Sequence, residues 1–406
     1  MVQVLHVADL HIGVENYGQF DVVRGMHQRL IDFLDSLDTT VDYAIAQRVD
    51  LVLIAGDMFK NRSPMPRHQS EFAARIRRLH DHGIPVLMLV GNHDVAPGRD
   101  SANSVSVYEG LKYEGVTVAR RLEVQRYTTA NGALAVIAVP WLMREIFVSN
   151  NDHLRMLGLA DQEQEMERLV GEYIQKQVDV LMAEDAQRPI IVTYHGTVSG
   201  AVSGFERQLV LGRDIQLPQS VLCPQGVDYV ALGHVHKHQV LRTTPPMVYA
   251  GSIDRIDFGE INETKGFVHV QFDGKETTYA FIPLQTRPFV EIEVDVKTAA
   301  DVMDRIQTAI ERKTLTNAIV KVSIDAEPTQ RSQIHEPTIR KWLETAGVAY
   351  ITRITVTIPR IEARPTLRKF GDRLPTPAEA LEAYLEQDAI PEAERAALLN
   401  LGKTYM

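Results

Sequence analysis

A recurring local pattern constrains this chain more than any other feature: short β-rich runs that end abruptly in polar residues. Apolar runs of this length are typical of strands that are buried on both faces of a sheet. The runs cover residues 2–8, 51–55, 86–90, 190–194, 229–232 and 248–250. The chain is therefore expected to contain buried sheet whose strands finish at polar side chains.

Helical patterns lie between several of these runs. The clearest covers residues 23–47, where apolar residues such as Leu30 and Leu34 recur at helical spacing. Two further helices are predicted at residues 69–82 and 162–184. Strands that alternate with helices predict a layered α/β fold. In such folds, ligand sites gather beyond the carboxyl ends of the strands.

The pattern of predicted secondary-structure elements changes after Pro283. Just before it, residues 265–282 predict a β-hairpin with an Asp273-Gly274 turn. After it, strand and helix patterns alternate and predict a small α+β module. The predicted elements of that module are strands at residues 290–296, 318–324 and 351–358 and helices at residues 299–311 and 336–346.

Two short amphipathic helices are predicted in the tail. They follow residues 359–375, which are rich in proline and arginine and are typical of a linker. Thr376 and Glu379 form a capping-box pattern at the start of the first helix. The second helix is expected to open after Pro391 and to stop at Gly402. Such helices bury little surface by themselves, so they either pack on the preceding module or dock on a partner.

Seven polar side chains at the strand ends are oxygen or nitrogen donors of the kind that bind Mn²⁺, Fe²⁺, Zn²⁺ or Mg²⁺. They are Asp9, His11, Asp57, Asn92, His195, His234 and His236. Seven donors are too many for one ion and about right for two ions that share a carboxylate. A two-metal centre, with its ions ~3.5–4 Å apart, holds the attacking and leaving oxygens of an in-line displacement.

Spacing supports this prediction. In an extended turn, side chains two residues apart point the same way, so Asp9 and His11 are expected to face one cavity, as are His234 and His236. Neither pair indicates a metal site by itself. The occurrence of all these patterns in one chain, each at the end of a buried strand, favours a metal centre over a set of structural histidines.

His93 differs from the predicted ligands. It is adjacent to Asn92 but is expected to point elsewhere, and Asp94 follows it. A histidine that is oriented by a carboxylate can protonate a leaving oxygen. His93 and Asp94 are therefore the predicted catalytic residues. The alternative is that they form a structural pair behind the ligands.

The charge and the cysteine count limit the class of protein. A formal net charge of -10 argues against a broadly basic DNA-coating protein, but it leaves room for DNA binding at a local site. Lys60, Arg62 and Arg67 form a local basic cluster and are the predicted DNA contacts. Cys223 is the only cysteine, so no disulfide can form within the chain. With no signal peptide and no long apolar run in the sequence, a cytoplasmic protein without membrane contact is expected.

In a series of motifs, the chain resembles the calcineurin-like metallophosphoesterase superfamily. These motifs are Asp9-x-His11, Gly56-Asp57, Gly91-Asn92-His93-Asp94, His195 and Gly233-His234-x-His236. A narrower resemblance to the SbcD nucleases rests on residues 249–260, on Lys265-Gly266-Phe267, on residues 55–59 and on Val139-Pro140-Trp141. The resemblance covers residues 1–285 by motif, the α+β module by position and length, and the tail by position.

The resemblance implies a β-sandwich flanked by helices, which forms a nuclease domain at residues 1–284. It implies a DNA-facing α+β capping domain at residues 285–360. It also implies a linker with C-terminal helices at residues 361–406 that binds an ATPase partner.

The same resemblance implies two metal ions, expected to be Mn²⁺, that are bridged by Asp57. One ion is held by Asp9, His11, Asp57 and His236, and the other by Asp57, Asn92, His195 and His234. His93 would assist catalysis and Asp94 would orient it. One position departs from the pattern, since some relatives have a histidine where this chain has Lys60. That departure leaves the balance of exonuclease and endonuclease activity open.

The implied function is that of a manganese-dependent DNA nuclease in double-strand-break repair and recombination. It would degrade duplex ends from 3′ to 5′, cut single strands and hairpins, pair with an SbcC-type coiled-coil ATPase and form a homodimer. Two alternatives remain open. One is a small-molecule phosphodiesterase or phosphatase of the same superfamily, and the other is a non-catalytic protein that kept the fold.

Overall fold

The structure, a computed structural model, describes residues 1–95, 104–111, 113–150, 152–202, 215–358, 375–385 and 392–404. The chain divides into two compact units. Unit 1 contains residues 1–291, 315–320 and 346–352, and unit 2 contains the described residues among 292–314, 321–345 and 353–406. The domain boundaries expected at residues 284 and 360 stay a prediction.

Unit 1 contains two six-stranded sheets. In spatial order, the first consists of β14 (Glu276–Pro283), β13 (Gly266–Asp273), β1 (Val2–Val7), β4 (Leu51–Ile54), β5 (Val86–Leu89) and β6 (Val116–Ala119). The second consists of β11 (Gln239–Thr243), β12 (Pro246–Tyr249), β10 (Tyr229–Gly233), β9 (Ile190–His195), β8 (Gly132–Val139) and β7 (Glu123–Thr129). Pairing is parallel from β1 through β4 and β5 to β6, and from β12 through β10 and β9 to β8. The carboxyl ends of these strands therefore lie at one edge of each sheet.

The helices of unit 1 connect these strands. They are α1 (Gln28–Gln47), α2 (Pro66–Asp81), α3 (Ser106–Leu111), α4 (Arg144–Asn150), α5 (Asp152–Arg155), α6 (Leu159–Glu184) and α7 (Gln219–Leu222). A 3₁₀ turn covers Phe258–Glu260. None of the described helices combines the length and the apolar character that are needed to cross a bilayer.

Alternate residues of each buried strand face different cores, which explains the continuous apolar sequences. In β4, Leu53 packs in the core between the two sheets, whereas Val52 packs with Phe33 of α1. In β9, Ile191 joins the core between the sheets, whereas Val192 faces the residues of α6. The sheets therefore form a β-sandwich flanked by helices, which confirms the fold that the resemblance implied.

One predicted helix begins later than expected. Residues 23–27 do not continue α1, because Phe20–Asp21 (β2) pairs with Met26–His27 (β3) in a small hairpin. The Asp21 carboxylate accepts hydrogen bonds from the backbone N–H groups of Val23 and Arg24, both at 2.9 Å. Such local side-chain bonds compete with helix formation, and the helix begins only at Gln28.

The structure contains all three strands and both helices of the predicted α+β module. β15 (Phe289–Asp295), β16 (Ile319–Asp325) and β17 (Tyr350–Thr357) form a three-stranded sheet, and α8 (Val302–Glu311) and α9 (Glu336–Thr345) complete the module. Most residues of these elements belong to unit 2. The first helix starts three residues later than predicted, because the Asp301 side chain caps it by accepting from Asp304 N.

The two tail helices are also present, as α10 (Pro377–Leu385) and α11 (Glu392–Thr404). The capping box is confirmed, since the Glu379 carboxylate accepts from Thr376 N at 2.8 Å and Glu379 N donates to the Thr376 hydroxyl at 3.4 Å. Gly402 does not end α11. A Cβ atom there would lie 2.2 Å from Leu381 of α10, so this glycine permits close packing of the two helices. The predicted linker, apart from its last residue, lies outside the described residues.

Candidate metal centre

The predicted metal ligands lie together where the carboxyl ends of the two sheets meet. From the first sheet, Asp9 and His11 follow β1, Asp57 follows β4, and Asn92 follows β5; from the second, His195 ends β9 and His234 and His236 follow β10. These seven residues are called the strand-end cluster below. Stretches of chain more than 200 residues apart thus contribute to one cluster, as the contact between His11 and His236 illustrates.

Asp9, His11 and His236 form one group of donors within the strand-end cluster. Their ligand atoms lie within 4.8 Å of one another. Nε2 of His11 lies 3.0 Å from Nε2 of His236. All three residues are buried. Two imidazoles and a carboxylate that point at a common centre suit one divalent cation.

Asn92, His195 and His234 form a second group. Oδ1 of Asn92 lies 2.9 Å from Nε2 of His195 and 3.1 Å from Nδ1 of His234. The Asp57 carboxylate connects the two groups, because its Oδ2 lies 3.3 Å from Nε2 of His195 and 3.8 Å from Nε2 of His11. Asp57 is thus placed to contact ions in both groups.

The backbone that carries these side chains is not extended. The prediction that Asp9 and His11 face one cavity through an extended turn is therefore wrong in its geometry. Asp9, His11, Asp57 and His234 have φ angles of 53°, 43°, 55° and 99°. A non-glycine residue in this region carries strain of ~1–3 kcal/mol, which persists only where the surroundings enforce it. Backbone bonds from Asp9 N to Gly56 O (3.1 Å) and from His11 N to Asp57 O (3.0 Å) hold the two loops together. The side chains converge because of these left-handed turns.

Glycines at two positions permit the close approach of these loops. A Cβ atom at Gly56, where φ is +100°, would lie 2.0 Å from Nδ1 of His195. A Cβ atom at Gly91 would lie 2.2 Å from Oδ1 of Asp57. Glycine therefore leaves room for His195 beside Gly56 and for the Asp57 carboxylate beside Gly91.

The strand-end cluster contains buried negative charge that no lysine or arginine balances among the described residues. Burial raises the pKa of Asp9. Burial would also raise the pKa of Asp57, but His195, His93 and His11 outweigh it and hold the pKa well below its ordinary value. Burial would lower the pKa of His195, but the Asp57 and Asp9 carboxylates raise it to about 9. Two carboxylates, four imidazoles and an amide oxygen thus fit two divalent cations, whose charge would replace that of the protonated His195.

A second layer of acceptors orients the histidines. Oε1 of Glu260 lies 2.8 Å from Nδ1 of His236, and the Ala55 carbonyl oxygen lies 2.7 Å from Nδ1 of His195. When Nδ1 donates to such an acceptor, Nε2 carries the lone pair that a bound metal ion would need. Glu260 also pairs with the fully buried Lys265 at 2.8 Å. Glu260 had no predicted role, although it lies in the segment that resembles the SbcD nucleases.

His93 lies beside the strand-end cluster, but Asp94 does not orient it. The His93 ring centroid is 4.9 Å from that of His11. Nδ1 of His93 lies 2.6 Å from the Lys60 carbonyl oxygen, which therefore holds the ring. The Asp94 carboxylate instead accepts from Asp57 N (2.9 Å), Gly91 N (3.0 Å) and the Ser104 hydroxyl (2.8 Å). Asp94 thus fixes the loop that carries the ligands.

The predicted DNA contacts lie on the loop between β4 and the first turn of α2. Lys60, Arg62 and Arg67 are all exposed. Arg67 is partly committed to protein contacts, at 3.4 Å to the Glu71 carboxylate and 3.4 Å to the Arg24 carbonyl. The sequence also makes the loops at residues 14–19, 60–68 and 95–104 candidates for phosphate contacts, and residues 96–103 of the third loop lie outside the described residues.

A family model described as calcineurin-like phosphoesterase matches residues 2–238. The DNA double-strand break repair protein Mre11 of Aeropyrum pernix is 25% identical over 314 residues, which cover 77% of this chain and 68% of that protein. The SbcD component of the nuclease SbcCD of Escherichia coli K12 is 26% identical over 272 residues, which cover 66% of this chain and 64% of that protein. The matched region thus spans about two thirds of each relative.

Among solved structures, a dimetal phosphatase from Danio rerio covers 68% of this chain and 98% of its own length, at 14% sequence identity. The TM-score is 0.38, which is too low for this likeness to bear on the site.

Proposed function

Because this chain belongs to the calcineurin-like phosphoesterase family and is a metal-dependent phosphodiester hydrolase, we propose that it is the DNA-cutting component of an SbcCD-type complex in double-strand-break repair. The observation that carries the proposal is the convergence of seven donors, with His93 beside them, on one edge of the sandwich. The similarity to Mre11 and to the SbcD component of SbcCD supports DNA as the substrate.

The strand-end cluster is proposed to hold two manganese ions. The first is held by Asp9, His11, Asp57 and His236, and the second by Asp57, Asn92, His195 and His234. Two divalent ions bound there would supply the nucleophile and take up the charge that develops on the phosphoryl oxygens. Asp57 serves both sites because its carboxylate lies between the two groups.

His93 is proposed to donate a proton toward the departing oxygen of the DNA strand. The Lys60 carbonyl oxygen lies 2.6 Å from Nδ1 and can only accept, so Nδ1 carries a proton and the proton for the leaving oxygen comes from Nε2 of a doubly protonated ring. A positioned acid of this kind contributes ~10²–10⁴-fold to the rate. Asp94 supports this step indirectly, because its carboxylate holds the loop on which Asn92 and His93 lie.

Lys60, Arg62 and Arg67 are proposed to contact DNA phosphates without reading sequence. All three are exposed; Lys60 and Arg62 lie on the loop whose Lys60 carbonyl holds His93, and Arg67 lies in the first turn of α2. A lysine acts on phosphate as a point charge, whereas a histidine at this position would also exchange protons. The proposed substrates are duplex ends, which would be degraded from 3′ to 5′, together with hairpins and single strands.

The proposed partner is an SbcC-type ATPase, which would be bound by α10 and α11. The capping box and the packing of these helices on each other support a preformed helix pair. Leu398 and Leu401 of α11 are 38% and 57% exposed, so this pair presents apolar side chains to solvent. The proposal also includes a homodimer and a location in the cytoplasm.

A nuclease assay with a matched pair of histidine variants tests the proposed function. The protein should cut blunt and hairpin DNA with Mn²⁺, and the reaction should stop with a chelator. His93→Ala should keep both metal ions and lose at least about a hundredfold in cleavage rate. His82→Ala, at an exposed position on the C-terminal side of α2, should change neither quantity.

Two results would contradict the proposal. Hydrolysis of a small phosphodiester without cutting of DNA would favour a small-molecule phosphodiesterase. Fewer than two bound ions in the unsubstituted protein would favour a non-catalytic relative.

A further inference from the structure

An apolar cavity adjoins the strand-end cluster. Its volume is about 330 Å³, and its lining includes Val90, Leu142, Phe147, Trp141, Arg120 and Arg121. Trp141 borders both the cavity and the metal ligands, because its ring centroid lies 5.3 Å from that of His234 and 6.4 Å from that of His195.

The position of Trp141 is tied to the loop that carries Asn92 and His93. Its backbone N–H donates to the Val90 carbonyl at 3.0 Å, and Val90 directly precedes that loop. Val95, which follows the loop, also lines the cavity. These contacts therefore fix the position of the cavity relative to the site at which a phosphodiester would be cut.

The cavity pairs an aromatic and aliphatic interior with a cationic rim. Arg120 and Arg121 have 54% and 81% of their side chains exposed, and their ion pairs with Glu109 and Glu123 are 3.6 and 3.4 Å long. Exposed pairs of this kind are weak, so both guanidinium groups are available to a phosphate. An aromatic face beside arginine donors is the chemistry that binds an unstacked base and its backbone.

We infer that this cavity, called the base pocket below, takes one unstacked nucleobase of the strand being cut, next to the scissile phosphate. The inference rests on the proposed function, since it assumes a DNA substrate. Trp141 stacks on the base, and Arg120 and Arg121 contact a flanking phosphate. A base can enter only after it leaves its partner, and this is easiest at ends, in hairpin loops and in single strands.

The test uses the full-length protein with Mn²⁺ and single-stranded oligonucleotides that contain one abasic residue, moved one position at a time across the cut. At one position beside the cut, kcat/KM of the unsubstituted protein should fall about tenfold, within the range that base–aromatic stacking supplies. Trp141→Ala should cut the intact strand about tenfold more slowly and show no further loss with the abasic strand. Trp141→Tyr should restore most of the difference.

A binding measurement gives a readout that does not depend on cleavage. A 2-aminopurine placed at the sensitive position should lose fluorescence when it binds to the unsubstituted protein in a chelator. It should not lose fluorescence with Trp141→Ala. The matched control is Trp342→Phe, on α9 in unit 2, which should behave like the unsubstituted protein.

Three results would separate failure of this inference from failure of the proposed function. If Trp141→Ala slows intact and abasic strands equally, Trp141 acts through His234 and the base pocket is wrong. If base preference is unchanged and ATPase binding is lost instead, the cavity takes a protein segment and the inference is also wrong. If the unsubstituted protein hydrolyses only small phosphodiesters, the proposed function fails and the inference fails with it.

Discussion

Two clusters of buried charged and polar residues in unit 1 differ in how their charge is balanced. The strand-end cluster buries two carboxylates among histidines, with no arginine or lysine in contact with them among the described residues. The second, called the arginine cluster here, contains Arg29, Asp32, Asp254 and Arg287. It pairs two carboxylates with two guanidinium groups, so its charge sums to zero.

The four residues of the arginine cluster form direct ion pairs with one another. The fully buried Arg29 lies 2.7 Å from Asp32 and 3.1 Å from Asp254, and Arg287 contacts the other Asp32 oxygen at 2.7 Å. The Arg29 guanidinium also lies 5.1 Å from the Phe33 ring centroid. Burial would raise the pKa of Asp32, but the two arginines outweigh it and lower the pKa. Burial of charge therefore does not by itself indicate a metal site; carboxylates that share a pocket with several imidazoles, and with no lysine or arginine among the described residues, do.

The largest effect is expected from substitution of Asp57 in the strand-end cluster. In Asp57→Asn, the carboxylate between the two donor groups is lost, so the protein should lose at least one ion and cleavage should fall by about a thousandfold or more. In the presence of a chelator, its melting temperature should be lower than that of the unsubstituted protein, because His195 loses the carboxylate that lies 3.3 Å from its Nε2. Metal analysis, a cleavage assay and thermal unfolding measure these three quantities. Retention of two ions in this variant would show that Asp57 does not bridge them.

The next effect concerns the arginine cluster. Arg29→Met should lower the free energy of unfolding by ~3–5 kcal/mol, because it leaves the buried Asp254 carboxylate without its arginine partner. Urea denaturation in a chelator measures this loss, while the folded protein should still bind two ions. Arg126→Met removes an exposed pair with Glu184 and should cost less than about 1 kcal/mol. Equal losses in the two variants would show that the arginine cluster is no more important than a surface pair.

The smallest effect concerns the layer behind the metal ligands. Glu260→Gln should weaken metal binding by about 10–100-fold, because His236 loses the charged acceptor that orients it. Glu263→Gln is the matched control, since Glu263 lies 2.7 Å from Lys265 and makes no described contact with His236. Titration calorimetry with Mn²⁺ measures both. If the two variants weaken binding equally, Glu260 acts through Lys265 and not through His236.

Much of the site could be predicted from sequence because its signals are local. A buried strand needs a continuous apolar run, and the run must stop where the chain leaves the sheet, so Asp57 and Asn92 are visible as donors at strand ends. The sandwich followed from the motif resemblance. The hairpin at residues 20–27 was missed because a side-chain bond from Asp21 overrides a helical pattern.

The sequence by itself determined which side chains are available as ligands and that they lie at strand ends, because strand periodicity and residue chemistry are properties of a few adjacent residues. Tertiary structure alone decided which of these side chains lie together, that the Lys60 carbonyl and not Asp94 holds His93, and that Glu260 contacts His236. These outcomes depend on left-handed turns and on contacts such as the one between His11 and His236. Contacts across such separations are set by the packing of two sheets, which no local pattern specifies.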